Sequence, residues 1–148
     1  MKALAWALTL GVGASGVALA AQDPPRVEYR QNLGAKISLD ARLRDERGRD
    51  VFLRDFFKVG KPVVLVLAYY ECPNLCTLVL NGLLKAMRGL SWTVGKEYEV
   101  VTLSISPVEG PGLAAEKKKT YVANYGRPGA ETGWHFLTGE ERPVRALA

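Results

Sequence analysis

The hydrophobic positions of the chain form apolar runs that alternate with stretches of helical spacing. Three runs are rich in β-branched or aromatic residues and end at polar residues, glycine or proline, as strands do. They are Val63–Tyr70, Glu97–Ile105 and Trp134–Leu137. In the second run Val100 and Val101 are consecutive, which is typical of a strand covered on both faces in a parallel sheet.

A shorter alternating pattern comes before these runs. Residues 37–57 contain two short apolar pieces on either side of a turn-forming stretch, Asp45–Arg49. This pattern predicts a hairpin or two small edge strands, with Phe56 and Phe57 in the hydrophobic core.

Helical spacing follows the first two apolar runs, from Leu75 to about Met87 and from Leu113 to Tyr125. Residues 140–143, with two acids and an early proline, open a further helix. Met87 is expected to fill the core. On the first helix a buried stripe is predicted at i, i+3 and i+4 spacing, at Leu75, Val79, Leu83 and Ala86. The alternation of strands and helices predicts an α/β fold with a parallel sheet.

The composition indicates one folded domain. The 148 residues are 48% hydrophobic, which is enough for a core, and the formal net charge is +5 with a pI near 9.3. The basic residues are scattered and do not form a stripe interleaved with aromatic residues, so the charge disfavours nucleic-acid binding. The lysine run Lys117–Lys119 is interpreted as a solvated helix face.

The first twenty residues have the pattern of an export signal. Lys2 gives a positive start, an uncharged Ala- and Gly-rich stretch follows, and Ala18–Ala20 is a small-x-small cleavage site. The alternative is that residues 1–20 are retained as a membrane anchor. Either way we expect the domain, residues 37–148, to lie outside the cytoplasm, in a bacterial periplasm. Residues 21–36, with Pro24 and Pro25, are interpreted as a linker.

Both cysteines of the chain follow the first apolar run: Cys72 is predicted just before the first helix and Cys76 in its first turn. Four residues apart at a helix N-terminus, their Cα atoms would be roughly 6 Å apart, which a disulfide can span. Pro73 suits the first helical position. Because the helix dipole favours thiolates there, the pair is suited to reversible disulfide formation or to binding a soft metal such as Cu(I) or Zn(II). The alternative is a purely structural disulfide, although so short a loop would add little stability.

Tyr69–Cys76, with the sequence Tyr-Tyr-Glu-Cys-Pro-Asn-Leu-Cys, resembles the signature of the Sco/SenC family. The resemblance extends over about residues 35–148 and includes Ser-Ile-Ser-Pro-Val-Glu after the second strand and Leu-Thr-Gly after the third. It implies a thioredoxin-like fold, a central mostly parallel sheet flanked by helices, and copper, Cu(I) or Cu(II), bound by Cys72 and Cys76. The resemblance implies a copper chaperone without enzymatic turnover, and a thiol–disulfide reductase activity stays open. The implied partner is subunit II of cytochrome c oxidase, with a role as metal donor, as thiol reductant, or as both.

The chain departs from the family pattern near the cysteines and at its end. Glu71, Asn74 and Thr77 replace residues common in the family. The family's third ligand is a histidine in a later loop, whereas His135 falls within the third predicted strand and is interpreted as a packed or surface residue. The chain also stops at Ala148 within its last predicted helix, and a sheet of two or three strands is thin, so we expect the sequence to be C-terminally truncated, without the last strands and helix of the domain.

A thiol–disulfide oxidoreductase or a peroxidase-like enzyme on the same fold is the alternative function. Oxidoreductases of this fold mostly use two intervening residues rather than three, which disfavours that class modestly. A peroxidase would need an arginine beside a reactive cysteine, and Arg127 is the candidate.

Overall fold

The structure of the protein is a computed structural model that describes residues 31–57, 60–71 and 75–147, without the side chains of residues 75–77. The chain divides into two units between Gly34 and Ala35, and the elements described below lie in the second. The predicted signal, most of the predicted linker, Cys72 and Pro73 lie outside the described residues. In the part of the chain that is described, no helix is both long and apolar enough to cross a membrane.

Three parallel strands form the central sheet, as the apolar runs predict. They are β3 (Val63–Ala68), β4 (Glu99–Ser104) and β5 (Trp134–Leu137), in the order β3-β4-β5. Val63 pairs with Glu99, and Val101 pairs with His135. All six residues of β4 are buried, since this strand has a neighbour on each side and packing on both faces.

The predicted hairpin is present and lies against the end of the sheet. It consists of β1 (Arg42–Arg44) and β2 (Asp50–Phe52), which pair antiparallel with Leu43 opposite Val51. The Asp45 carboxylate closes the turn by accepting hydrogen bonds from the backbone N–H groups of Arg47 and Arg49, at 2.9 Å each. Residues 53–56 form a short 3-10 helix. Arg44 and Thr138 exchange two backbone hydrogen bonds, of 2.8 and 2.9 Å, which attach the hairpin to the residue after β5.

Four α-helices lie in the described part of the folded unit. They are α1 (Leu75–Gly89), α2 (Pro111–Tyr125), α3 (Ala130–Gly133) and α4 (Glu141–Arg145). The helices α1 and α2 cover one face of the sheet, packing on side chains such as Trp134 and Phe136. The hairpin, the 3-10 helix and α4 cover the other face, around Val101 and Leu137. The α/β prediction is therefore confirmed, with α3 as an element that the sequence pattern does not indicate.

The buried face of α1 differs from the predicted stripe. Val79 is 49% exposed and Ala86 is also exposed, whereas Leu80, Leu84 and Met87 are buried against the sheet. The prediction for Val79 and Ala86 is wrong because α1 is apolar or small on two adjacent faces, and periodicity does not determine which of them meets the sheet. Met87 fills the core as expected, at 2% exposure.

Candidate functional site

The cysteine segment lies at the carboxyl edge of the sheet. Strand β3 ends at Ala68, and α1 begins at Leu75, so Cys76 is the second residue of α1. This agrees with the prediction that Cys76 lies in the first helical turn. Because β3, β4 and β5 are parallel, their carboxyl ends share this edge, which is where open α/β sheets usually bind ligands.

Tyr70 ties the chain before Cys72 to both other strands of the sheet. Its hydroxyl lies 2.8 Å from the carbonyl oxygen of Thr102 and 2.7 Å from that of Leu137. A phenol has one hydrogen to donate, so the two carbonyls share it. Burial raises the pKa of the Tyr70 hydroxyl well above its ordinary value, and the charge of Glu109 raises it further. Tyr70 is therefore a neutral, buried anchor.

Glu109 holds the same segment from the loop that follows β4. Its carboxylate accepts hydrogen bonds from the backbone N–H of Tyr70, at 2.9 Å, and of Glu71, at 2.8 Å. The hydroxyl of Ser104 donates a third hydrogen bond to this carboxylate. Ser104 Oγ in turn accepts the backbone N–H of Ser106, at 3.0 Å. The two residues directly before Cys72 are thus bound to the end of the neighbouring strand.

In the sequence, Glu109 is the last residue of the Sco-like segment Ser-Ile-Ser-Pro-Val-Glu, and no role is predicted for it. The available signal was its position, because the loops after neighbouring parallel strands meet at one edge of a sheet. A cleft of about 450 Å³ borders this loop, with Val108 and Glu109 on one side and Arg42 and Arg44 on another. Tyr69, Leu78 and Val108 are exposed apolar residues of this part of the fold, at 43%, 66% and 90%.

His135 lies on the face of the sheet opposite α1. Its neighbours in β5, Trp134 and Phe136, point to the α1 side, whereas the His135 ring packs on Phe56, with ring centroids 4.6 Å apart. His135 Nε2 is 3.7 Å from the buried carboxylate of Glu99. The structure agrees with the interpretation of His135 as a packed residue. Among the described residues, no group of three or more His, Cys, Asp and Glu side chains is arranged to hold a metal ion.

Arg127 is at the wrong end of α1 for a role beside a cysteine. Its guanidinium donates hydrogen bonds to the carbonyl oxygens of Arg88, Leu90 and Trp92, at 2.8, 2.8 and 3.0 Å, where α1 ends. From Cys76 to the end of α1 is roughly 20 Å at 1.5 Å per residue. The candidacy of Arg127 as the arginine of a peroxidase is therefore wrong, because the residue serves as a C-terminal cap.

The lysine run of α2 is only partly a solvated face. Lys118 forms an ion pair with Glu46 of the β1–β2 turn, and its side chain is 16% exposed. Lys119 is exposed, as expected.

No protein-family model and no curated protein matches the sequence, but solved structures do. A putative electron transfer protein from Aquifex aeolicus VF5 is 26% identical, with a TM-score of 0.62 over 78% of this chain and 69% of that chain. Arabidopsis thaliana ScoI with copper bound is 20% identical, with a TM-score of 0.55 over 72% of this chain and 60% of that chain. Yeast Sco1 with copper bound is 22% identical, with a TM-score of 0.52 over 76% of this chain and 66% of that chain.

These similarities define the fold class. The chain has the thioredoxin-like α/β fold of the Sco structures, so the resemblance noted in the sequence is confirmed at the level of the fold. The chain spans 60% to 66% of the length of the plant and yeast Sco proteins. Copper is bound in both of those structures.

Proposed function

We propose that this protein binds copper through Cys72 and Cys76 and acts as a copper chaperone and thiol redox protein. The observation that supports this most directly is the position of Cys76 in the first turn of α1, at the carboxyl edge of the sheet. Cys72 comes four residues earlier in the sequence. The same fold carries copper in the plant and yeast Sco structures.

The donor set suits Cu(I). Thiolates are soft ligands, and Cu(I) accepts the low coordination that two sulfurs give. The first turn of a 15-residue helix favours the thiolate over the thiol, since unpaired backbone N–H groups and the helix dipole lie there. Cu(II) would require a harder third ligand, and His135 is on the other face of the sheet. We therefore propose Cu(I) as the metal that Cys72 and Cys76 bind.

The partner and the location belong to this proposal. We infer that the acceptor is subunit II of cytochrome c oxidase or another copper-accepting protein in a bacterial periplasm. The support is the export-like pattern of residues 1–20 and the Sco-like signature Tyr69–Cys76. In that compartment the cysteine pair would cycle between dithiol and disulfide, and only the dithiol would take up Cu(I).

A thiol–disulfide oxidoreductase is the second candidate, because the same pair of cysteines at a helix N-terminus could reduce a disulfide of another protein. One similar structure is described as a putative electron transfer protein, which is compatible with this activity. The peroxidase version of the alternative loses its support, since Arg127 caps the far end of α1.

Copper titration of the reduced full chain tests the proposal. We expect one Cu(I) per chain in competition with a colorimetric Cu(I) chelator, and loss of this binding in Cys72→Ser and in Cys76→Ser. His135→Gln is the matched control, and it should bind Cu(I) as the unmodified chain does. Absence of Cu(I) binding together with turnover of a disulfide substrate would establish the oxidoreductase instead. Absence of both, with a loss of stability in the serine variants, would show a structural disulfide.

A further inference from the structure

We propose that Glu109 is a positioning residue for the cysteine pair. Its carboxylate fixes the main chain of Tyr70 and Glu71, and so restrains the chain that leads directly into Cys72. The test of this inference by Cu(I) affinity rests on the proposed function, whereas its tests by amide hydrogen exchange and by the disulfide equilibrium do not.

The contacts of Glu109 form a closed network around one carboxylate. Oε1 lies 2.8 Å from the Glu71 nitrogen, and Oε2 lies 2.9 Å from the Tyr70 nitrogen. An ionised carboxylate is an acceptor only, with room for about four hydrogen bonds, so the two N–H groups and the Ser104 hydroxyl can all be satisfied together. Ser104 is fully buried at the end of β4, so it holds the carboxylate at a fixed point of the sheet.

The backbone of the Glu109 loop supports the same arrangement. The N–H of Glu109 donates a hydrogen bond to the carbonyl oxygen of Ser106, at 3.3 Å, which closes a tight turn containing Pro107. Helix α2 begins two residues later, at Pro111. Glu109 is thus held between a buried strand end and a helix start, and both are rigid supports for a side chain that positions another segment.

The anchored N–H groups are directly next to the reactive position. Glu71 immediately precedes Cys72, so only the torsions of Glu71 separate an anchored peptide group from the nitrogen of Cys72. On the other side, the helical backbone of α1 fixes Cys76. Two cysteines that meet in one geometry bind a metal more tightly than two that must first be ordered, and supporting hydrogen bonds of this kind typically change metal affinity 10- to 100-fold.

Substitutions at Glu109 separate hydrogen bonding from charge. Glu109→Ala removes both acceptor oxygens. Glu109→Gln keeps one oxygen, which can accept both N–H groups as Oε1 does, at 3.1 Å from the Tyr70 nitrogen and 2.8 Å from the Glu71 nitrogen; it removes the negative charge and places an NH2 group toward Ser104. Glu97→Ala is the matched control, since Glu97 also accepts a backbone N–H, that of Thr93 at 2.7 Å, but before β4 and therefore at the opposite edge of the sheet. Ser104→Ala leaves the carboxylate in place but removes the hydroxyl that orients it.

Three measurements on the full chain test the inference. The first is amide hydrogen exchange at Tyr70 and Glu71, and the second is Cu(I) affinity. The third is the equilibrium in which oxidised glutathione takes two electrons and two protons from Cys72 and Cys76 to form their disulfide. In Glu109→Ala we expect at least about 10-fold faster exchange, Cu(I) affinity about 10- to 100-fold lower, and a shifted disulfide equilibrium. Glu109→Gln should stay within a few-fold of the unmodified chain, and Glu97→Ala should match it.

Two results would overturn the positioning role of Glu109. Unchanged copper affinity and unchanged disulfide equilibrium in Glu109→Ala would overturn the inference. An effect of Glu109→Gln as large as that of Glu109→Ala would also overturn it, because charge rather than hydrogen bonding would then be responsible. If the unmodified chain binds no Cu(I), the proposed function fails, and the disulfide equilibrium alone decides the role of Glu109. If Glu109→Ala does not fold, Ser104→Ala takes its place, with a smaller change in the same direction expected and no change contradicting the inference.

Discussion

The hydroxyl of Tyr70 lies 2.7 Å from the carbonyl oxygen of Leu137, so the residue two positions before Cys72 is bound to the last residue of β5. The same hydroxyl reaches the carbonyl oxygen of Thr102 in the central strand, at 2.8 Å. The start of the cysteine segment is thus tied to both other strands through one side chain. Because β4 is fully buried between its two neighbouring strands, this arrangement attaches the segment to the interior of the fold.

Removing the Tyr70 hydroxyl should destabilise the fold. In Tyr70→Phe two buried carbonyl oxygens lose their shared donor, and we expect the free energy of unfolding to fall by about 1–2 kcal/mol. Urea denaturation followed by circular dichroism measures the change. Tyr69→Phe is the matched control, since Tyr69 is 43% exposed, and its effect should stay within about 0.5 kcal/mol. Equal effects of the two substitutions would contradict the anchoring role of Tyr70.

The fold should lose stability in alkaline solution. Burial raises the pKa of the hydroxyl groups of Tyr70, Tyr98 and Tyr121 above their ordinary value. These groups therefore keep their protons in the folded chain at a pH where the unfolded chain begins to release them. Their contribution is complete below about pH 10 and is lost as the pH rises from there toward the raised pKa of each group in the folded chain, by at most about 1.4 kcal/mol per pH unit for each group.

Urea denaturation at a series of pH values checks this expectation, together with the ultraviolet absorbance of phenolate. The three tyrosines should ionise at a higher pH in the folded chain than in the chain unfolded by urea. In Tyr121→Phe the decline of stability above about pH 10 should be shallower by the share of one group. Ionisation of the three tyrosines at the same pH in the folded and in the unfolded chain would contradict the prediction.

Arg127 should matter for stability and not for cysteine chemistry. Arg127→Ala leaves three carbonyl groups at the end of α1 without their charged donor, and we expect the free energy of unfolding to fall by about 2 kcal/mol. Arg127→Lys keeps the charge but loses the fork of the guanidinium, so its effect should be intermediate. The reaction rates of Cys72 and Cys76 with an alkylating reagent and with peroxide should remain unchanged. A slowing of about 10-fold or more in peroxide would restore the peroxidase interpretation.

The ion pair between Lys61 and Glu99 should lose unequal amounts of stability when one or the other residue is replaced, because the Glu99 carboxylate is buried. Glu99 is 1% exposed and lies 3.2 Å from Lys61 Nζ, whose side chain is 30% exposed. Lys61→Met removes the ammonium group that pairs with this buried carboxylate and should cost about 3 kcal/mol of stability. Glu99→Gln should cost about 1 kcal/mol, because Lys61 can turn to solvent and also donates to the carbonyl oxygen of Gly95, at 2.8 Å. Equal costs in urea denaturation would contradict this asymmetry.

The sequence predicts the elements of this fold better than their contacts. The apolar runs indicate β3, β4 and β5, because strands in a covered parallel sheet are continuously apolar and their neighbours break the pattern. The buried side of α1 is not predictable in the same way, since Val79 and Leu80 are both apolar and only the sheet selects between them. Glu109 bonds to Glu71, 38 positions away in the sequence, and Arg127 bonds to Arg88, 39 positions away. No local sequence pattern marks such distant pairs.

The candidate site likewise has features that local sequence predicts and features that it does not. The cysteine spacing and the helix start are local, so Cys76 in the first turn of α1 follows from the sequence. The anchoring of the segment before Cys72 depends on which strands become neighbours. The position of His135 away from the cysteine helix depends on which side of β5 faces α1. These are properties of the assembled sheet.

Gly133 should not tolerate a larger residue, because its backbone contacts that of Gly95 and not because of its own φ angle. A Cβ atom at Gly133 would lie 2.2 Å from the Cα of Gly95 and 2.3 Å from its nitrogen, and backbone atoms cannot move aside as a flexible side chain can. This contact joins the loop before β4 to the residue before β5, so a shift there displaces two strands of the sheet. We expect Gly133→Ala to lower the free energy of unfolding by about 3 kcal/mol or more.

Gly82→Ala provides the matched control for this last substitution. Gly82 lies in the interior of α1, and a Cβ atom there meets nothing within 4 Å. The added methyl group should therefore raise stability by about 0.5–1 kcal/mol, since alanine loses less backbone entropy in a helix than glycine. Urea denaturation of the two variants should shift the midpoint in opposite directions. A Gly133→Ala variant as stable as the unmodified chain would show that the loops before β4 and β5 do not meet at this glycine pair.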